Sequence, residues 1–497
     1  MLWITVFVAN AAVMVFEIIG ARAMAPFVGS SSEVWSGVIA AVLGGMTIGY
    51  WGGGRLADKK PNAPWLGCAL VAAGVTMFVP WAMRDQIFLL APLLARMIPL
   101  TLAAFIVGLV FFAPAAIALG SVGPFAAKVA ISSLAASART VGRLSAVAAF
   151  GSVIGTIAVG AWLAPKFGNN AIVMTLSLVL TALGLASFGW KRLKGRIIGI
   201  IVILAFIFGY SAFFFEAPRV ARRLVADVDT AYNRIWVYDV SINDRPARVI
   251  HTDPFGTQCG SFVSPRGTTS VEPIFEYMYD MDVGIQLGGT STRALLVGGC
   301  NYSQPRWMLS RGVVEHIDVS EIDPGMTRVA RDWFGLEDDS RLSILHQDGR
   351  SVMREAAPGT YDLILLDAFN SFSSVPFHLT TKEAMASIEK SLAPGGFVVA
   401  NAISATRGSA AGFLESYVAT LETSFPYVKA FAVHNYANVF LPQNIIIVAS
   451  REPFELPEKF ATNEIRVNRE NALVLTDDYA PIESLTAPLR EWALTRI

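Results

Sequence analysis

The sequence predicts a polytopic α-helical membrane bundle followed by a doubly wound, Rossmann-like α/β domain. Three observations predict this. Hydrophobic residues make up 54% of the 497 residues and charged residues 16%, too apolar for an ordinary soluble protein, and the excess lies before Phe215. That part is filled by apolar stretches of about 20 residues, the length that crosses a bilayer core. Further on, the apolar run Arg293-Ala294-Leu295-Leu296-Val297 ends in Gly298-Gly299, and a second run ends in an acid at Val319-Ser320-Glu321. In doubly wound sheets such glycines let backbone approach a nucleoside, and such an acid takes the ribose hydroxyls.

Seven spans are expected, at residues 2–21, 34–54, 63–83, 99–120, 144–164, 170–190 and 196–215, within a transmembrane domain 1–216. Residues 86–98 are too short to cross and read as interfacial or re-entrant. Gly44, Gly45, Gly49, Gly52, Gly53 and Gly54 in the second span, and Gly151, Gly155 and Gly160 in the fifth, suit close helix packing. Glu17 is either a functional carboxylate at membrane depth or an interfacial residue paired with Arg22. Arg55, Lys59 and Lys60, then Lys128, Arg139 and Arg143, then Lys191, Arg192, Lys194 and Arg196 form three basic loops, which the positive-inside rule assigns to the cytoplasm. With seven spans the chain after 215 emerges outside. A nucleoside cosubstrate belongs in the cytoplasm, and the cytoplasmic side is the one expected here for the soluble part.

Residues 217–231 read as a linker. Residues 232–263 alternate apolar and polar around the turns Asn243-Asp244 and Asp253-Pro254 and read as a small antiparallel β unit; together they form a segment 217–290. From 291 to 497 the pattern changes to strand–helix repeats, with strands expected at 293–299, 314–320, 341–346, 361–367 and 395–401 and a final pair at 427–433 and 443–449. This implies a mostly parallel sheet with ligands beyond the strands' carboxyl ends. The polar groups at those ends are the site candidates: Gly298 and Gly299, Glu321 for a ribose diol, Asp348 before Gly349 for an adenine amino group, and Asp367 facing the reacting centre.

The zero net charge gives no sign of a nucleic-acid partner, and none is expected. Three cysteines and five histidines show neither a disulfide framework nor metal-ligand spacing, so no metal is expected and Cys300 reads as packing.

Several stretches resemble the spermidine synthase family of aminopropyltransferases, in the bacterial form that carries a transporter-like membrane region. They are Glu17-Ile18-Ile19-Gly20-Ala21-Arg22, Ala25-Pro26-Phe27-Val28-Gly29-Ser30-Ser31, Gly151-Ser152-Val153-Ile154-Gly155-Thr156, Val375-Pro376-Phe377-His378-Leu379-Thr380-Thr381 and Leu475-Thr476-Asp477-Asp478-Tyr479-Ala480-Pro481. The resemblance implies a class I methyltransferase-type domain, with Glu321 on the ribose, Asp348 on adenine and Asp367 as the base that deprotonates an amine. The implied cosubstrate is decarboxylated S-adenosylmethionine and the implied acceptor a putrescine-like amine. A homodimer is an expected partner, as is the lipid bilayer of a bacterial inner membrane. Gln304, Asn370 and Tyr479 are expected near the acceptor.

Two positions depart from the family. Asn301 stands where an acid holds the cosubstrate's amino group, and Asn370 where a second acid holds the diamine. Both remove negative charge that would pair with ammonium groups, which favours a cosubstrate that keeps its carboxylate, S-adenosylmethionine itself, or another acceptor. Two alternatives therefore stand beside an aminopropyltransferase: an S-adenosylmethionine-dependent methyltransferase, and a non-enzymatic transporter or sensor with a polyamine- or nucleoside-binding domain.

Overall fold

The computed structural model describes residues 2–60, 63–131, 137–187, 223–253, 256–264, 267–288, 291–368, 375–434 and 438–494. The chain divides into two compact units, Met1–Val220 and Ala221–Ile497.

The first unit is helical: α1 (Leu2–Val28), α2 (Ser32–Lys59), α3 (Ala63–Ala82), the short α4 (Arg84–Phe88) and α5 (Leu90–Ala95), α6 (Leu100–Phe111), α7 (Ala113–Ala130), α8 (Ser137–Ala158), the short α9 (Ala164–Lys166) and α10 (Asn169–Ala186). Among the described residues six helices are long and apolar enough to cross a membrane. The expected span 99–120 is instead two consecutive helices, α6 and α7, that run on to Ala130. The break falls at Phe112, two residues before Pro114, which has no N–H for the helical ladder. Residues 86–98 fall on the short α4 and α5, and the expected span 196–215 lies outside the described residues.

Of the glycines of the second span, Gly45, Gly49 and Gly53 act in packing, whereas Gly44 and Gly52 meet nothing within 4 Å. A Cβ on Gly45 would press on Ala116 at 2.8 Å and one on Gly53 on Ser121 at 2.6 Å, so α2 and α7 touch backbone to backbone. Lys128 at the end of α7 pairs with Asp58 at the end of α2 at 2.8 Å, which brings two of the basic clusters to one end of the bundle.

The second unit holds two sheets. The first is a five-stranded antiparallel meander, β1 (Arg223–Asp229), β2 (Arg234–Ile242), β3 (Arg245–His251), β4 (Cys259–Val263) and β5 (Thr269–Pro273). The linker expected over 217–231 is thus corrected at Arg223–Asp229, because β1 pairs with β2, while residues 217–222 lie outside the described residues. Its charges suggested solvent, but Asp227 is held by Arg234 across the hairpin at 2.8 Å, while Val225, Ala226 and Val228 pack on the core beneath.

The second sheet contains β6 (Ser291–Val297), β7 (Val314–Ser320), β8 (Leu342–Leu345), β9 (Tyr361–Leu366), β10 (Leu392–Ser404), β11 (Tyr427–Ala432), β12 (Gln443–Ser450) and β13 (Glu464–Ile465), in the spatial order β13-β11-β12-β10-β9-β6-β7-β8. β6 to β10 run parallel, and β12 runs antiparallel to both β10 and β11. This is a Rossmann-like sheet of the class I methyltransferase type. Near-continuous apolar strands such as Leu363–Leu366, buried throughout, are what a sheet covered on both faces requires. The chain order reverses between β6 and β9, and a crevice opens there beyond the carboxyl ends of the strands.

Candidate active site

At that crevice lies a cavity of about 170 Å³, lined among others by Gly298, Cys300, Glu321, Asp348, Gly349, Asp367 and His378. Its construction begins at Gly298, whose φ of +101° belongs to the region glycine enters freely. A side chain there would collide with the Asp367 carbonyl. The Gly-rich turn can therefore lie directly against the end of β9, and Asp367 N–H donates to the Val297 carbonyl at 3.0 Å.

Glu321 closes the turn from the other side. Its Oε2 accepts the N–H groups of Gly299 at 3.0 Å and Cys300 at 3.3 Å, and its Oε1 accepts that of Asp323 at 2.9 Å. Burial pushes its carboxyl above the usual range, and the three N–H groups oppose that rise. Three of the carboxylate's about four lone-pair sites are thus taken by the turn, and the residue lines the cavity.

Asp348 caps the helix Gly349–Glu355. Its Oδ1 accepts from the N–H groups of Arg350 and Ser351, and its Oδ2 lies 2.8 Å from His378 Nε2. The segment carrying His378 is held by Arg350, which donates to the His378 carbonyl and pairs with Asp477.

Asp367 follows β9 and is partly buried. Its Oδ1 accepts from Asn401 Nδ2 at 2.9 Å and its Oδ2 from the Tyr277 hydroxyl at 3.1 Å. Asn401 is fixed in turn by Asn444, which donates to its Oδ1 at 2.9 Å. Burial raises the Asp367 carboxyl above its ordinary range, and these two donors limit the rise. Burial first, then the neighbouring Asp367, pushes the Tyr277 phenol well up, so it stays protonated and remains a donor.

The structure thus brings Gly298, Glu321, Asp348, Gly349 and Asp367 to one cavity, with Gly299 bonded to Glu321 behind it. Other sequence candidates fall elsewhere. Asn301 is fully buried and its amide bonds Ser261 and Ser303. Gln304 is buried and donates to the Met278 carbonyl. Tyr479 is 62% exposed and is held by Thr476. Asn370 lies outside the described residues. Among the described residues no group of three His, Cys, Asp or Glu side chains is placed to hold a metal ion.

The cysteine reading is corrected outright: Cys259 and Cys300 form a disulfide. They are 41 residues apart in sequence, and only the packing of β4 against the Gly-rich turn makes them neighbours. Tyr277, Asn401 and Asn444 were also missed. They come from three separate elements, and no local pattern marks them. His378 stood within a stretch that carried the family resemblance, but without a role.

No family model matches the chain. It is similar to a polyamine aminopropyltransferase of Vibrio vulnificus, 29% identical over 135 residues, covering 27% of this chain and 45% of that protein. It is similar to spermidine synthase 2 of Arabidopsis thaliana, 32% identical over 115 residues, covering 22% of this chain and 33% of that one. Polyamine aminopropyltransferase 1 of Streptomyces coelicolor is 24% identical over 273 residues, covering 51% of this chain and 50% of that protein. The chain thus spans half or less of the length of these relatives. Among solved structures, a probable spermidine synthase from Corynebacterium glutamicum is 22% identical with a TM-score of 0.40, covering 46% of this chain and 81% of that one. Human methyltransferase-like protein 13 in complex with SAH is 22% identical with a TM-score of 0.30, covering 44% of this chain and 93% of that one. The resemblance to the polyamine aminopropyltransferases read from the sequence is therefore found independently by comparison.

Proposed function

We propose that the chain is a membrane-anchored transferase of the aminopropyltransferase type, using an S-adenosylmethionine-derived cosubstrate and an amine acceptor. The carrying observation is Asp367, on the cavity wall with both oxygens held by Asn401 and Tyr277. In this reading Glu321 takes the ribose diol and the Asp348 edge receives the base. The amine nitrogen attacks the carbon beside the sulfonium, the carbon–sulfur bond breaks to leave a neutral thioether, and Asp367 accepts the proton that the amine gives up. An amine must be neutral to attack, and a carboxylate with a raised pKa is a stronger base than an exposed one. The sulfonium is already a good leaving group, so orientation supplies much of the remaining rate.

One observation favours a second reading. The Asn301 amide bonds Ser261 and Ser303, so the position where the family carries an acid for the cosubstrate's amino group offers no negative charge. That suits intact S-adenosylmethionine and methyl transfer. Mass spectrometry separates the two: the purified full chain, given each cosubstrate with a panel of amines, adds an aminopropyl group to the acceptor in the first case and a methyl group in the second. Binding of either cosubstrate with no product from any acceptor would support the non-enzymatic sensor.

The six apolar helices support the membrane anchor. The cytoplasm, where the cosubstrate is made, is the side proposed for the soluble unit. An alkaline phosphatase fused after Ile497 is then inactive. An active fusion would put the unit outside, the side favoured by loop charge and by a permanent disulfide.

A further inference from the structure

We infer that Cys259 and Cys300 are a reversible dithiol–disulfide couple that controls the cavity, with a small-protein or low-molecular-weight dithiol as exchange partner. The inference rests on reading the cavity as an adenosyl-ligand site.

The couple sits where a switch would act. Cys300 is the third residue of the Gly-rich turn, lines the cavity, and gives its N–H to Glu321 Oε2. Its φ is +45°, a left-handed conformation that non-glycine residues adopt only when held there. What holds it is β4. The disulfide ties Cys300 to Cys259 at the start of that strand. Two residues along the strand, Ser261 Oγ accepts from Asn301 Nδ2 at 2.8 Å. Adjacent residues of the turn are thus fastened to one strand, one covalently and one by a neutral hydrogen bond.

Opening the disulfide leaves only the neutral bond. Cys300 is then free to leave the left-handed region, and its N–H leaves Glu321. Because Glu321 is the proposed ribose acceptor, ligand affinity falls with the loss of the turn's geometry.

The chemistry is accessible from one side. Cys259 is fully buried, whereas Cys300 is partly exposed on the cavity wall. A thiolate of the reductant attacks the Cys300 sulfur, and Cys259 departs as a thiolate and takes up a proton. The reductant's second thiol, deprotonated, then attacks the reductant's own sulfur in the mixed disulfide, releasing Cys300, which is protonated. Two electrons and two protons pass to the pair, and the reductant leaves as its disulfide. A bound ligand covers the Cys300 side of the cavity, so it also protects the couple from reduction.

The test uses the full chain in detergent. Maleimide labelling after denaturation counts one thiol, Cys68, in the oxidised protein and three after reduction by a phosphine. Calorimetry with S-adenosylmethionine and its decarboxylated form is run on oxidised, reduced and glutathione-reoxidised protein. Affinity is expected to fall about tenfold or more on reduction and to return on reoxidation. By reciprocity a tenfold difference makes the ligand-bound couple about 30 mV harder to reduce. Cys259→Ser, which alters no cavity residue, is expected to bind like the reduced protein and to ignore the phosphine. Equal affinities with three thiols counted overturn the inference. So does a disulfide that the phosphine opens only in denaturant. If neither ligand binds in any state, the adenosyl reading fails, and amide exchange at Gly299 and Cys300 decides the couple alone. Faster exchange after reduction upholds it, and unchanged exchange overturns it.

Discussion

Replacing Glu321 tests whether one carboxylate both shapes the turn and binds the ligand. In the native chain it satisfies three backbone N–H groups, two on Oε2 and one on Oε1. Glu321→Ala strands all three in a buried place, where each orphaned donor costs about 1–3 kcal/mol. Burial already disfavours the charged form, so removing the charge returns part of that sum. A net loss of about 3 kcal/mol is expected on this balance, or roughly 6–12 °C in Tm for a unit of this size. Glu321→Gln is intermediate. Whichever way its amide turns, one end presents N–H to N–H, and only the bonds to the other end survive. Scanning fluorimetry of the full chain in detergent, with and without S-adenosylmethionine, measures both effects. The alanine variant should melt lower and should lose the ligand-induced rise in Tm. If it melts with wild type, the carboxylate does not clamp the turn. If it melts lower but keeps the full ligand shift, Glu321 is structural and the ribose assignment is wrong.

Four further outcomes are expected. Asp367→Asn should lower turnover by roughly 10²–10⁴, the range of a general base, with cosubstrate affinity nearly unchanged; a fully active variant would remove Asp367 from the mechanism. The raised Asp367 pKa gives opposite pH slopes. Below the ordinary Asp value near 3.9 its stabilising contribution is complete and is lost as pH rises through the folded value, while base activity is gained over the same window; Asp367→Asn should flatten both, as read by melting and rate profiles. Tyr277→Phe removes one of the two donors favouring the ionised form, so the acid limb of the rate profile should move to higher pH; no movement would mean that this hydroxyl does not tune the base. Gly298→Ala should destabilise the unit by at least about 1 kcal/mol and depress ligand binding, since its Cβ meets the Asp367 carbonyl; wild-type melting and binding would show that the turn can relax.

Periodicity and local chemistry alone made much of this protein legible. The strand–helix repeat placed β6 to β12 to within a few residues, because strands buried on both faces need unbroken apolar runs. Strand-end acids could be picked out because a doubly wound sheet presents its ligand there whatever the loops do. Apolar length alone marked the helices of the bundle. What tertiary structure decided were pairings between distant residues. β1 looked like a linker until Arg234 took its acid across the hairpin. Asp348 could be assigned to adenine from its strand end, but that its second oxygen meets His378, 30 residues on, only the fold shows. Asn301 looked like a ligand contact until Ser261 claimed its amide. Cys259 and Cys300 looked like unrelated thiols until β4 packed on the turn. The physical reason is the same in each case. A side chain's type and its place on a strand or turn are local properties written in neighbouring residues. Which polar atom satisfies a buried donor or acceptor depends on what the fold brings within about 3 Å of it, and no local pattern records that.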